Sequence, residues 1–580
     1  MTISPRARAG GGSAKKGAKK AAAGGGGGIA TKAAKAAAAA DAANAMADGD
    51  AAPTTPAVWR PGYDPLEEDE TLQYDPTAYD CMHSLALEWP CLSFDVLRDA
   101  ATAARVAASS AASSSAASAA RHSTTAAAAA AVASFPHTLF LAAGTQAATR
   151  SANSLSLLRL GRVGRGRHGP AALRDGDDDD GLSTDSDDDE GDRPTLAARR
   201  VAVGAGVNRV RAMPQHPGIV AAWLDSGVVS IWDLRQQLGE LEGMTDAESA
   251  RDEDREKRRA AAAGGKRRAA AGGDFLSLAP VASHRHGAEG FGLAWSPGPA
   301  PGRLASGDCG GGLRVWEPRE GGGGSGTPSG ASSSLSASPA TSALSWAVSQ
   351  PYGGHDDHRA SVEDVAWSPT EGTVFATAAT DAALRVYDAR ARSRPQLVIR
   401  SAHASDVNVV SWSALATFML ASGGDDGAVK AWDLRAVGSG GSGGKSGGGG
   451  GGGEAATKKT AAAAAPAGEV ARLCYHRGAV TSVEWSPTES SVLLSTGDAS
   501  AGTTCVWDLA VERDPEEEAA LGAGAAVAAA GGAEAALPAQ LLFVHAGQAD
   551  VKEAHWHPQI DGLVASTAAD GFNVWRAANV

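Results

Sequence analysis

The chain has 580 residues, a formal charge of −14 and 73 glycines. Long stretches are Ala, Gly and Ser with almost no large apolar residue, which cannot bury enough surface to offset the entropy of ordering, so about 330 residues remain able to fold. The five cysteines form no CxxC and no regular spacing, which excludes an obvious disulfide framework or zinc site, and no run of about eighteen apolar residues and no hydrophobic leader core point to membrane insertion or secretion.

Residues 1–57 read as a disordered Ala/Gly tail with one basic cluster, KKGAKK, at Lys15 to Lys20. Residues 58–99 are patterned. In PTAYDCMHSLALEW the apolar or aromatic positions Tyr79, Met82, Leu85, Ala86 and Trp89 recur at helical spacing, predicting a helix that Pro90 ends. CLSFDVLRD then alternates as a strand over Leu92 to Leu97, and residues 100–134 are a low-complexity linker.

From Phe135, FPHTLFLAAGTQAATRSANSLSLLRL reads as strands. The next feature is acidic. Asp175 to Asp192 carries eleven carboxylates, among them Asp177, Asp178, Asp179, Asp180, Asp187, Asp188, Asp189 and Glu190. Placed between the first two repeats as a flexible loop, it would attract polybasic segments through a dense negative field, with a purely solubilising role as the plainer alternative. Thr184 and Ser186 each have an acid three residues downstream, a pattern resembling acid-directed kinase substrates, and phosphate there would deepen the charge.

A repeat follows. WLDSGVVSIWDLR, LASGDCGGGLRVWEP, FATAATDAALRVYDAR, LASGGDDGAVKAWDLR, LSTGDASAGTTCVWDL and VASTAADGFNVWR close at Trp232, Trp316, Tyr387, Trp432, Trp507 and Trp575. Upstream of most stands a His before an apolar strand: His286, His355, His403, His476 and His545. These units resemble WD40 repeats, each of which supplies one propeller blade. With VNRVRAMPQHPGIVAAWLDSGVVSIWDLR from Val207, which lacks the His, and the degenerate unit from Phe135, the count is seven. The fold class is therefore all-β, a seven-bladed propeller over residues 135–580, which at about 43 residues per blade needs about 300 ordered residues.

In this register the chain ends after the third strand of the last blade, leaving an open edge. Leu92 to Leu97 is the free strand expected to close it, with the preceding helix lying on the propeller side. Inserts at 236–274, 321–345, 436–468 and 511–538 follow a WD-type ending and precede an outer strand such as FLSLAP, LCYH or LLFVH, so they leave from one face.

WRPGYDPLEEDETLQYDPTAYDCMHSLALEWPCLSFDVLRD, Trp59 to Asp99, ahead of such a propeller resembles the glutamate-rich WD-repeat proteins of ribosome assembly and, more distantly, the histone-binding retinoblastoma-associated proteins. The first resemblance implies a chaperone for a basic large-subunit ribosomal protein, number three, with contacts to histones. The second implies a side pocket for a basic helix, formed by the N-terminal helix and the last insert. Leu85, Trp89, Glu516, Glu517 and Glu518 are the residues it assigns there, although the relatives' Pro-Pro is reduced here to Pro538 alone.

His403, Ser422, Asp426 and Trp432, and likewise His355, Thr377, Asp381 and Tyr387, look like a hydrolase triad but occupy structural WD40 positions. SGGSGGKS, Ser439 to Ser446, lacks the first glycine and the strand-to-helix context of a phosphate loop. No enzymatic constellation, cofactor or metal is indicated. Arg235, Arg390 and Arg435 end segments resembling the WDxR box that docks propellers onto a cullin ligase adaptor. KRRAAAAGGKRR, Lys257 to Arg268, has bipartite import-signal spacing in sequence that reads as unstructured, which with the N-terminal cluster predicts nucleus and nucleolus. These short clusters on an acidic chain predict no direct nucleic-acid binding at physiological salt. Ribosomal-protein chaperone, histone-binding chromatin-assembly component and ligase substrate receptor are the three functions carried forward.

Overall fold

The computed structural model describes residues 2–5, 61, 70–73, 75–85, 87, 89–99, 102, 135–165, 193–262, 275–298, 302–319, 345–352, 357–391, 394–437, 466–498, 502–512 and 537–579. Thr2–Pro5 and Glu70–Gln73 form a separate antiparallel ladder, with Thr2 opposite Gln73. The described strands after Gln73 form a seven-bladed propeller.

Each blade is an antiparallel sheet whose first strand is innermost. Third strands carry the aromatic endings that define the repeat. Trp316, Tyr387, Trp432, Trp507 and Trp575 are all at most 1% exposed and Trp232 nearly so, and each removes roughly 150–250 Å² from water, which contributes several kcal/mol at about 25 cal/mol/Å². Packing is between neighbouring blades: Trp432 of blade 5 lies with Ala376, Leu384 and Ile399 of blade 4 in one cluster, and Trp575 of blade 7 with Leu494 and Val506 of blade 6 in another. Tight turns join second and third strands. At Gly427, φ is +70° and an added Cβ would stand 2.6 Å from the His476 carbonyl, so glycine is required there.

Two strands come from the N-terminal segment, and their assignment corrects the sequence expectation. Tyr79–Leu85 is not a helix. It is the outer strand of blade 7, pairing antiparallel with Gly571–Ala577, Leu85 opposite Phe572 and Met82 opposite Trp575. Phe94–Leu97 does not close that blade but is the inner strand of blade 1, paired with His137–Gly144. The helical spacing of Tyr79, Met82 and Leu85 coexists with an alternation that buries Tyr79 and Cys81. The unpaired edge of Gly571–Ala577 decides between them, because its backbone groups need a strand. A short helical turn, Pro76–Ala78, does precede the strand, capped by Asp75, which accepts from the Thr77 amide.

Blade 1 continues with Ser154–Val163 and Thr195–Ala202. The acidic segment Asp175 to Asp192 therefore joins the third and outer strands of blade 1, not blades 1 and 2. Blade 2 has Ala282–Arg285 as its outer strand. FLSLAP does not serve that purpose: Phe275–Leu276 adds in parallel to Thr195–Ala202 as a fifth strand of blade 1.

The segment between is partly helical, contrary to expectation. Helix α1, Arg235–Glu242, buries Leu238 and Leu241. Helix α2, Asp246–Ala262, begins with a reciprocal capping box, in which the Glu248 amide donates to Thr245 Oγ1 and the Thr245 amide to the Glu248 carboxylate. Its acids meet the arginines of blade 1. Arg159 donates to Asp246 at 2.9 Å and to Ser249 at 2.8 Å, Arg199 to Asp252 at 3.1 Å, and the Leu196 amide to Glu253 at 3.1 Å. The basic block opening at Lys257 starts on this helix, with Lys257 paired to Glu253.

Because strands alternate in direction, first-to-second and third-to-fourth connections leave at one end of the propeller. All four inserts, the acidic segment and the 100–134 linker are of these two kinds. The opposite end carries short turns and blade-to-blade connections.

Candidate protein-binding surfaces

The histidines that follow the repeat are bound internally. His403 bridges Asp426 at 2.9 Å and Ser422 at 2.8 Å, and Ser422 accepts from Trp432 Nε1 at 2.9 Å. Blade 3 repeats the chain with His286, Asp308, Ser306 and Trp316. Burial pushes the His403 imidazole down and opposes ionisation of Asp426, yet the Ala404 amide and the His403 ring hold that carboxyl below its usual range. In blade 4 the histidine is His358, at 2.7 Å from Thr377 and 3.1 Å from Asp381, and not His355, which lies outside the described residues. His358 stands four residues before Val362, as His403 stands four before Val407, and that spacing was the available signal. These are cross-braces within and between strands.

A charged cluster around the axis had no sequence signal. Glu553, on the inner strand of blade 7, accepts from the Phe94 amide of blade 1 at 3.0 Å, from Arg211 of blade 2 at 3.2 Å and from Arg209. His555 lies 2.9 Å from Glu484 of blade 6 and 3.4 Å from Glu553. Asp95 accepts from the Ala212 amide, and Asp364 of blade 4 from the Val410 amide of blade 5. Burial opposes the charge of Glu553, but Arg211 and Arg209 hold its carboxyl well below the usual range. Burial likewise opposes the His555 cation, and Glu484 and Glu553 nevertheless raise it to about 10. Burial pushes Asp95 and Asp364 up. The cluster ties the first, second, sixth and seventh blades across the seam where the ring closes.

The residues assigned to a basic-helix pocket separate. Leu85 ends the outer strand of blade 7 and Trp89 lies in the connection leading to blade 1, so neither is on a helix. Trp89 lines a small cavity at the insert-free end. Glu516, Glu517 and Glu518, and the acidic positions 175–192, lie outside the described residues. Arg235, Arg390 and Arg435 share one geometry: each exposed guanidinium turns back to the aspartate two residues earlier, at 2.6 Å for Asp233 and 2.7 Å for Asp388 and Asp433. Arg435 also stacks over the Phe418 ring, 3.5 Å from its centroid.

Among family models, the WD domain, G-beta repeat, matches residues 349–388, 394–433 and 468–508, which end with the third strands of blades 4, 5 and 6. The model for the histone-binding protein RBBP4, which also covers a component of the CAF1 complex, matches residues 69–162, spanning both N-terminal strands and the next two of blade 1. The "Glutamate-rich WD repeat-containing protein 1" of Dictyostelium discoideum is 33% identical over 90% of this chain and 85% of its own. The chain belongs to the glutamate-rich WD-repeat protein family. This glutamate-rich WD-repeat chain is also 37% identical to "Protein HEAT STRESS TOLERANT DWD 1" of Arabidopsis thaliana, over 92% of this chain and 94% of that one. It is 30% identical to "Ribosome assembly protein rrb1" of Schizosaccharomyces pombe, over 89% and 84%.

Proposed function

We propose that this protein is a non-enzymatic scaffold of ribosome biogenesis that holds a basic large-subunit ribosomal protein, number three, before its assembly. The observation that carries this is the similarity to a relative named for ribosome assembly over 89% of the chain. Two features support it. The triad-like histidines are bound into the blades, and the chain is strongly acidic, with eleven carboxylates concentrated in one segment of 18 positions. Nuclear and nucleolar residence accompanies this role, through Lys15 to Lys20 and Lys257 to Arg268.

Histone binding is the second reading, favoured by the match of residues 69–162 to the histone-binding family model. A third, a cullin-ligase substrate receptor, is favoured by the shared Asp-Arg geometry of Arg235, Arg390 and Arg435. Purified full-length chain titrated separately with the ribosomal protein, with histones H3–H4 and with the ligase adaptor distinguishes the three. Tight binding of the ribosomal protein alone supports the proposal, and binding of either alternative with none of the ribosomal protein overturns it.

A further inference from the structure

The connection from blade 7 back to blade 1 borders a cavity of about 170 Å³ at the insert-free end. Leu87, Trp89 and Pro90 line it together with the turn at Ala569 and Asp570, and Phe572 completes its wall. That volume is well under the ~300 Å³ at which small-molecule pockets begin, so it suits one side chain and not a cofactor. Its inner wall is already satisfied: Thr567 Oγ1 donates to the Cys91 carbonyl at 2.8 Å.

The rim is acidic. Asp570 is exposed, and its carboxylate receives a long 3.4 Å contact from the Ala549 amide. The Ala569 amide donates to the Ala549 carbonyl at 2.9 Å, which fastens this rim to the loop carrying Asp550. Asp550 shares a hydrogen bond with Asp498, and Lys552 pairs with both. Two carboxylates thus already share that ammonium on the neighbouring loop, which leaves Asp570 as the carboxylate that lines the cavity. An aromatic and aliphatic wall under such a rim complements a long aliphatic stem ending in a cation.

We propose that this cavity receives one lysine or arginine side chain of a basic polypeptide partner, its stem along Trp89 and Leu87 and its cation at Asp570. This rests on the reading that the client is basic, and it names where one anchor of that client sits. The occupant is protein, since the Asp570 carboxylate at the mouth of a single-residue cavity would repel the phosphates of RNA.

The test uses full-length protein and two synthetic peptides, (Gly-Gly-Lys)5 and the same peptide with each lysine acetylated, followed by calorimetric titration. Wild type should bind the lysine peptide at least tenfold more tightly than the acetylated one. Asp570→Asn should weaken the lysine peptide about fivefold, and Ala569→Phe, which fills the cavity from its exposed rim, about tenfold, with melting temperatures unchanged. Equal affinity of wild type and both variants overturns the proposal, and so does equal affinity of wild type for the two peptides. The same variants titrated with the purified ribosomal protein separate the two claims. Unchanged tight binding there sinks the cavity alone, whereas no binding by wild type, with the peptide effects intact, sinks the ribosomal client alone.

Discussion

Tyr79 and His545 are joined by a 2.9 Å hydrogen bond across 466 positions of chain. The Asn573 amide donates to His545 Nε2 at 3.1 Å, so the neutral ring carries its proton on Nδ1 and donates it to the Tyr79 oxygen. The imidazole also stacks on Trp575 at 4.7 Å. The last blade is thus held to its outer strand by side chains from three parts of the chain.

Tyr79→Phe leaves that Nδ1 proton buried without an acceptor and is expected to lower unfolding free energy by about 1–3 kcal/mol. Urea denaturation should show it as a lower midpoint at unchanged slope. Removing residues 1–58 should leave the midpoint where it is, while removing residues 1–85 bares the edge of Gly571–Ala577 and should cause aggregation. Equal solubility of the two truncations would refute this account of closure.

Glu553→Gln removes the buried anion that two partly buried guanidiniums share. Weakening that pairing is expected to cost about 3 kcal/mol, the low end for buried pairs broken on one side, because Asp95 and Asp364 still face the guanidiniums. A loss below about 1 kcal/mol in denaturant unfolding would show that the axial cluster is not what holds the seam.

Three buried histidines make stability depend on pH. Burial lowers His476 to about 4, and His545 and His557 to about 3, against about 6.5 in the unfolded chain. The unfolded state therefore binds more protons between these values. The contribution is fully present above pH 6.5 and is lost as pH falls towards 4 for His476 and towards 3 for the other two, at up to about 1.4 kcal/mol per unit for each histidine. His555 runs the other way: its raised value contributes below pH 6.5, and the contribution is lost as pH rises towards 10. Denaturation midpoints at pH 7, 6 and 5 should fall in that order, and His476→Asn should flatten the fall. An unchanged slope would contradict it.

Replacing the acids of Asp175 to Asp192 by Ser and Asn should slow association with the basic client and weaken its salt dependence, with little change in dissociation. Replacing Glu516, Glu517 and Glu518 should instead speed dissociation if those positions are desolvated in the complex. Stopped-flow kinetics at two salt concentrations check both. Abolition of binding by the first variant alone would mean that charge, and not a surface of the propeller, holds the client.

The blade count and the His-Ser-Asp-Trp braces were legible because they recur at a fixed spacing, so each blade corroborates the next. Tyr79–Leu85 was not, because its seven residues fit both a helical and an alternating pattern, and a strand edge nearly five hundred residues away decides between them. Arg209, Arg211, Glu484 and Glu553 come from three different blades, and nothing in their local sequence marks them as neighbours. Phe275–Leu276 is two residues long, too short for any periodicity. Of the candidate binding residues, Trp89 was assigned to the wrong element, a helix, because the cavity it lines exists only once blade 7 is complete.

The Tyr79–His545 pairing has a consequence during synthesis. The outer strand of blade 7 leaves the ribosome early, and the strand it must join is among the last made. At about 5–20 residues per second the 466 intervening positions take on the order of half a minute to a minute and a half. Through that interval Tyr79–Leu85 is a nascent edge with no lawful neighbour, open to strands of other chains on the same polysome.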